Sequence, residues 1–160
     1  MTSKVPALID WLVNAFTASA ALGAAPAPNT VAVYDGPATT SANDKLLLWV
    51  GLQDPDNQGP DEAATFEQAR SDLGQSTRDE LSIIRCTAEA WGGMDARTVR
   101  VAAFGIVAAV EAIIRSDTTN FGGNAALAAP GVTGGVLLQN NPAEGNVARV
   151  TFDIILRSFT

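Results

Sequence analysis

The most chemically suggestive stretch of the sequence is an acidic loop that follows the second predicted strand. Asp54, Asp56 and Gly59 fall at offsets typical of a calcium-binding loop. However, Gln58 stands where the third acidic ligand belongs and Thr65 stands where the bidentate glutamate belongs. Helices are also not predicted on either side of the loop. The pattern therefore favours a solvated loop, and we expect neither a bound metal nor another cofactor.

Other combinations of catalytic residues are absent or badly placed. The chain has no histidine, which excludes triads with a histidine base and metal sites made of histidines. It has neither a phosphate-binding loop nor a dinucleotide fingerprint. Asp79 and Glu80 are adjacent in a predicted strand, so their side chains should point to opposite faces. Cys86, the only cysteine, lies in mid-strand and is interpreted as an inert buried thiol. We expect a protein that works by contact and is not an enzyme.

Composition indicates one domain that spans residues 1–160 and associates with other subunits. The chain is 47% hydrophobic and only 17% charged, a low charge content for a soluble monomer. A net charge of −7 argues against a protein that holds DNA by its phosphates, but it is compatible with a surface that DNA slides past. No segment is long and apolar enough to cross a bilayer once its charged residues are counted, so we expect no membrane partner.

The hydrophobic pattern predicts an α+β fold in which a single, mainly antiparallel β-sheet is packed by a long central helix and an N-terminal helix. Apolar residues at helical spacing from Val5 to Leu22 predict the N-terminal helix, with Pro6 in its first turn. Strands are predicted over residues 30–34, 45–50, 63–71, 81–91, 132–139 and 147–159. The third and fourth strands should form one hairpin, and the last two should form another.

The predicted strand 81–91 and the helix that follows it form the centre of this fold. Gly92 and Gly93 end the strand, and Asp95 can cap a helix over residues 96–115. Small residues on one face of the strand allow the helix to approach closely: Ile84, Cys86, Ala88 and Ala90. The apolar stripe of the helix is predicted to contain Val99, Ala103, Ile106, Val110 and Ile113.

Two other features predict surface available for contacts. Phe104, Val107 and Ala108 interrupt the polar side of the long helix, so either the N-terminal helix or another subunit should cover them. The last strand alternates regularly between apolar residues that point inward and polar residues that point outward to water or to a partner. Its inward residues are Ala148, Val150, Phe152, Ile154 and Leu156, and its outward residues are Arg149, Thr151, Asp153 and Arg157.

Several short motifs, in this order of elements, carry a resemblance to a known family. They are Tyr34-Asp35-Gly36-Pro37, Leu48-Trp49-Val50-Gly51, Trp91-Gly92-Gly93 followed by Asp95 and Arg97, and the ending Gln139, Gly145 and Arg149-Val150-Thr151-Phe152. With these motifs, the chain resembles the tail terminator, or tail-completion, proteins of long-tailed, non-contractile bacteriophages, especially those that infect actinobacteria. The resemblance covers nearly the whole chain, and none of its motifs is catalytic.

The resemblance implies a structural virion protein. Such subunits form a ring, usually a hexamer, on the head-proximal end of the tail tube. The ring stops tube polymerisation and presents a surface to the head-tail connector or stopper protein, while DNA passes through its lumen without specific binding. The partners implied are therefore other copies of the chain, the tail tube protein and the connector. The implied location is the tail or neck of the virion, after assembly in the host cytoplasm.

Two groups of residues are candidates for these contacts. The first group, expected at the interface between subunits, contains Phe104, Val107, Arg149, Asp153 and Arg157. The second group, expected in a loop that faces the lumen or the tube, contains Asp54, Asp56, Asp61 and Glu62. A closed ring uses two different surfaces of each subunit, so the interface residues need not form one patch. Ordinary solvated surface is the competing interpretation for each of these residues.

Three alternatives to a tail terminator stay open at this stage. A tail tube subunit is similar in size and also forms hexameric rings, but it should be a β-sandwich with less helix. A head-completion or stopper protein would share the neck location and bind the portal side. A small intracellular enzyme or ligand-binding domain would need polar residues that converge in a pocket, and the sequence does not predict such a pocket.

Overall fold

The computed structural model describes residues 3–70, 78–93, 95–124, 131–143 and 145–159. They form an α+β fold, as the sequence predicts. The helices are α1 (Val5–Ala18) and α2 (Ala96–Ser116), and a single turn, α3 (Asn120–Gly123), follows them with positive φ angles. The strands are β1 (Ala32–Asp35), β2 (Leu46–Val50), β3 (Ala64–Arg70), β4 (Arg78–Gly92), β5 (Gly131–Asn140) and β6 (Asn146–Phe159). No helix in these ranges is long and apolar enough to span a membrane. The predicted turn at 72–75 lies outside the described residues.

The six strands form one mixed, mostly antiparallel sheet in the order β1-β2-β4-β6-β5. β1 and β2 are parallel, and the other pairs are antiparallel. β4 is long enough to pair with two strands along one edge. Its C-terminal half pairs with β2 and its N-terminal half pairs with β3, whereas β6 pairs with nearly its whole length on the other edge. Both predicted hairpins, β3–β4 and β5–β6, are confirmed.

Both long helices pack on the same side of the sheet, which is called the helix face here. Ile84, Cys86 and Ala88 are buried on this face of β4, as the small-residue pattern predicts. The buried stripe of α2 follows the predicted spacing up to Val110 but then continues at Ile114. Ile113, the predicted member, is only half-buried because the four-residue step from Val110 keeps the stripe aimed at the sheet.

Hydrogen bonds define both ends of α2. Asp95 accepts from the backbone N–H of Thr98 at 3.0 Å, which confirms the predicted N-cap. This bond, together with the one from the Thr98 hydroxyl, holds the pKa of Asp95 below its usual range. After the helix ends, Asp117 accepts from the backbone N–H groups of Thr119 and Phe121 and from the Thr119 hydroxyl. The side chain of Asp95 therefore caps the start of α2, whereas the side chain of Asp117 fixes the turn that follows the helix.

α1 lies beside α2 and buries Leu8, Leu12 and Phe16 completely. It ends at Ala18, earlier than the apolar spacing up to Leu22 predicts. The chain turns there because Gly23 folds back onto the last helical turn, where its N–H bonds to the carbonyl of Phe16 at 3.0 Å. A Cβ at Gly23 would lie 2.5 Å from the carbonyl oxygen of Thr17, so only glycine fits this contact.

We expect Leu12→Ala to lower the free energy of unfolding by about 2–5 kcal/mol, because it leaves a cavity where α1 packs on the core. Chemical denaturation followed by circular dichroism measures this loss. Val101→Ala is the matched control, since Val101 is exposed on α2, and we expect it to change stability by less than about 0.5 kcal/mol. Equal losses in the two variants would contradict the position of α1.

Candidate interaction surfaces

The loop between β2 and β3, residues 51–63, lies across the side of the sheet opposite the helices, which is called the outer face here. The Thr87 hydroxyl of β4 donates to the carbonyl oxygens of Leu52 and Gln53, at 3.1 and 2.8 Å. The backbone N–H groups of Gly51 and Leu52 donate to the carbonyl oxygen of Arg85. These bonds attach the start of the acidic loop to the middle of the sheet.

Arg149 on β6 connects this loop to a buried carboxylate. Its Nε donates to Glu89 at 2.6 Å, and its Nη1 lies 2.8 Å from Asp56 and 3.4 Å from Asp54. Glu89 is only 3% exposed, and its other oxygen accepts from the indole of Trp91. Burial alone would lower the pKa of Arg149, but the hydrogen bonds and charges of its acidic partners raise it above the usual value. Arg149 is therefore charged and held inside its own subunit.

A second arginine makes a similar bridge further along the sheet. Arg85 on β4 donates to Glu62 at 3.0 and 2.6 Å and also pairs with Asp153 on β6. These two acidic partners raise the pKa of Arg85 above its usual range, and the hydrogen bond to Asp153 is the largest cause. The end of the acidic loop is thereby attached to both central strands.

At the end of the sheet, the Nε of Arg157 donates to both oxygens of Asp79, at 2.8 and 2.9 Å. The hydrogen bond from Arg157 holds the pKa of Asp79 below its usual range. Asp61 has a different role, because it accepts from the backbone N–H groups of Gln53 and Asp54, both at 2.8 Å. Asp61 therefore shapes the loop from within.

The structure thus brings together two groups of residues that the sequence analysis treated separately. The acidic loop, proposed for the lumen or the tube, supplies partners to the outward charges of the last strand, proposed for the subunit interface. Sequence reasoning did not identify three of the side chains that complete this ionic network, namely Glu89, Arg85 and Asp79. Strand alternation offered a usable signal for two of them, because Arg85 and Glu89 alternate along β4 with the small residues of the predicted helix face.

A cavity of about 380 Å³ lies on the outer face between the loop at 37–45, the acidic loop and the end of β4. Trp49, Trp91, Glu89 and Arg149 are among its lining residues. The sequence did not predict this pocket. Both carboxylate oxygens of Glu89 accept hydrogen bonds, one from Trp91 and one from Arg149, and these bonds hold the side chain in the wall of the cavity.

The cavity and the rest of the described chain offer little support for metal or thiol chemistry. The described residues contain no group of three histidine, cysteine or acidic side chains arranged to hold a metal ion. Cys86 lies on the helix face, and its burial raises the pKa of the thiol to about 12. A thiol with this pKa stays protonated at neutral pH and is therefore a poor nucleophile.

Exposed apolar side chains lie along β5, on both faces of the sheet, and on the flank of α2 beside it, and this area is called the β5 surface here. Its members are Phe104, Val136, Leu137 and Leu138. Arg100 of α2 donates to the side chain of Gln139 at 3.2 Å, which places this flank of the helix beside β5. Phe104, one turn further along the same flank, is 47% exposed, so α1 does not cover it. Val107 is half-buried and packs against the core.

We expect Arg149→Met to lower the free energy of unfolding by about 3–5 kcal/mol, because it leaves the Glu89 carboxylate buried without a cation. The double variant Glu89→Gln with Arg149→Met should recover part of this loss, since no buried charge then needs a partner. Arg157→Met is the control at an exposed ion pair and should leave the unfolding midpoint nearly unchanged. Equal effects of the two arginine substitutions would contradict the role given to Glu89.

Comparisons with known proteins add no assignment for these surfaces. The sequence matches no known protein family, and it matches no characterised protein.

Proposed function

We propose that the protein is the subunit of a ring that caps the head-proximal end of a bacteriophage tail tube. The ring is a homo-oligomer, hexameric in the family that the chain resembles, and it ends tube polymerisation. One side of the ring contacts the tail tube protein and the other contacts the head-tail connector. The protein then belongs to the neck of the virion and assembles in the host cytoplasm.

The observation that carries this proposal is a contrast between two parts of the surface, one with charges already paired and one with exposed apolar side chains. On the outer face, the charged side chains of β4 and β6 are paired within the subunit. On the β5 surface, large apolar side chains are exposed and are not covered by α1. Exposed apolar patches of this kind on soluble proteins are typical of protein interfaces. A ring subunit needs such a surface, and the resemblance supplies the type of ring.

The fold favours this proposal over a tail tube subunit. A tube subunit should be a β-sandwich, whereas this chain has one sheet with two helices of 14 and 21 residues on the same side. A head-completion or stopper protein is the alternative that shares the neck location. A terminator binds the tail tube and ends its growth, whereas a stopper protein binds the portal side. Only the loss of a terminator should therefore change the length of the tube.

The negative charge of the chain is compatible with a lumen through which DNA passes. The net charge is −7, and like charge keeps DNA from sticking to a surface. Asp54, Asp56, Asp61 and Glu62 stay candidates for a loop that faces the lumen or the tube. Their ion pairs and hydrogen bonds fix the shape of this loop, which favours a defined contact over a mobile acidic tail.

We expect the purified protein to stop the growth of tail tubes at an early length when it is added to polymerising tube subunits, because it occupies the growing end. Negative-stain electron microscopy of tube lengths measures the effect, and buffer alone is the control. In a phage that lacks the gene, tails should be overlong. Tails of normal length without heads would instead identify a connector, and self-polymerisation of this chain into long tubes would identify a tube protein.

We expect Phe104→Lys to weaken ring formation by about tenfold or more, because it places a charge in an apolar contact. Mass photometry of a dilution series measures the distribution between ring and monomer. Leu81→Lys is the control, since Leu81 is 41% exposed on the outer face of an interior strand. Both variants should remain folded as monomers. A ring that tolerates Phe104→Lys as well as it tolerates Leu81→Lys would remove Phe104 and its flank of α2 from the interface.

A further inference from the structure

The edge of β5 that faces away from β6 has few of the usual protections of an edge strand. Among the described strands β5 pairs with β6 alone, and eight consecutive residues, 133–140, are exposed. The strand contains no charged residue and no proline, which are two of the features with which proteins block pairing at a sheet edge. A register shift between Thr133 and Val136 interrupts the ladder, so the regular part of this edge is residues 136–140. The backbone of β5 is therefore available to another extended strand.

Apolar side chains flank this edge on both faces of the sheet. Val136 and Leu138 are 56% and 52% exposed and lie opposite Thr151 and Arg149 on the outer face. Leu137 lies on the helix face, opposite Val150 and on the same side as Phe104. A strand added here would gain backbone hydrogen bonds and would also cover apolar surface on both sides.

The chain itself carries an edge that can fill this position. β3 pairs only with β4 among the described strands, so its other edge is free along Ala64–Arg70. Phe66 of β3 is 51% exposed and lies opposite Ser82 on the helix face. The alternative edge strand, β1, has only four residues, and three of them are half-buried. β3 is thus the longer and more accessible of the two.

Strand directions make these two edges compatible in a ring. β5 is antiparallel to β6, and β6 is antiparallel to β4, so β5 runs parallel to β4. β3 runs antiparallel to β4. If a rotation axis lies roughly along the strands, the β4 strands of neighbouring copies keep the same direction. β5 of one copy then meets β3 of the next in the antiparallel arrangement, which is the commoner kind of pairing.

The edges of β5 and β3 also lie at different positions along the strand direction. β5 lies beside residues 147–155 of β6, which in turn lie beside 83–91 of β4. β3 lies beside 78–84 of β4. Pairing the two edges therefore requires successive copies to be staggered along the strands. Closed sheets contain such a stagger, because their strands tilt relative to the axis.

We propose that β5 of one subunit hydrogen bonds in antiparallel fashion with β3 of a second copy, so that the sheets of neighbouring subunits are continuous. This inference depends on the proposed function for the ring, and it deepens that proposal by assigning the two unlike surfaces of each subunit. The contact includes the backbone edges of both strands, with Leu137 and Phe66 on the helix face and with Val136 and Leu138 on the outer face.

Cysteine cross-linking of the assembled full-length chain tests this contact. Cysteines are placed on the outer face of β5 by Val136→Cys or Leu138→Cys, and on the outer face of β3 by Thr65→Cys or Glu67→Cys. The native thiol of Cys86 is buried, so the unmodified chain is a suitable blank. Because paired and diagonal cross-strand positions lie within about 4.5–8 Å, a short bis-maleimide reagent should link at least one β5–β3 combination.

We expect a β5 variant mixed with a β3 variant to give a covalent dimer, whereas each variant alone should give none. A chain with both substitutions should give a ladder that ends at the closed ring. Leu81→Cys combined with a β5 cysteine is the matched control, since Leu81 lies on the same face of an interior strand. It should not cross-link.

Other outcomes separate this inference from the proposed function. Cross-linking by a β5 variant alone would indicate symmetric β5–β5 pairing and overturn the assignment of β3. A ring with no cross-link in any β5–β3 combination would also overturn it, while the ring itself would stand. A ring that cross-links as expected but does not stop tube growth would overturn the proposed function and leave this contact in place.

Discussion

The antiparallel pairing of β4 with β6 is the constraint on which the rest of the structure depends. It extends from Asp79 opposite Phe159 to Gly92 opposite Asn146. Because side chains alternate along a strand, this register places Ile84 and Ile154 together under the helices and Arg85 and Asp153 together on the outer face. A shift of one residue would bury the charges and expose the apolar side chains. Hydrophobic burial and ion pairing therefore select the same register.

Glu80 connects this pairing to the helical layer. It lies on the helix face and is fully buried, an unusual position for a carboxylate. The backbone N–H of Lys4 donates to it at 2.8 Å and the Ser3 hydroxyl at 3.1 Å, and the side chains of Gln68 and Ser82 also donate. The carboxylate thus accepts from the start of α1, where backbone donors lack partners within the helix. Its neighbour Asp79 points to the opposite face and pairs with Arg157, as strand alternation predicts.

The sequence predicts most of this fold because its elements are determined by local patterns. The alternation in β6, the capping of α2 by Asp95 and the small helix face of β4 are each visible within a few neighbouring residues. The end of α1 was harder to predict, because Ala18 and Leu22 both continue the apolar pattern. The helix stops where Gly23 can approach the backbone closely, and apolar spacing contains no information about that approach.

Much less of the candidate site could be predicted, because its contacts join distant parts of the chain. Asp56 and Arg149 were each recognised as surface charges, yet their ion pair depends on the path of the acidic loop over the outer face. The pocket beside Trp91 depends on the same path. Periodicity gives the face on which a side chain lies but not which loop covers it. Periodicity therefore predicted that Arg149 lies on the outward face of the last strand, but it did not predict which acidic residues pair with it.

The ion pairs within the subunit also limit the kind of contact that neighbouring copies could make in the proposed ring. A charge that already has partners gains little from a new ion pair, because it must first lose the contacts that it has. Arg85 and Arg149 are in this position on the outer face. The proposed interface between copies therefore depends on apolar burial and backbone pairing, which the edges of the sheet can supply. These two edges differ in length, direction and side chains, and a ring built from head-to-tail contacts needs two unlike surfaces of this kind.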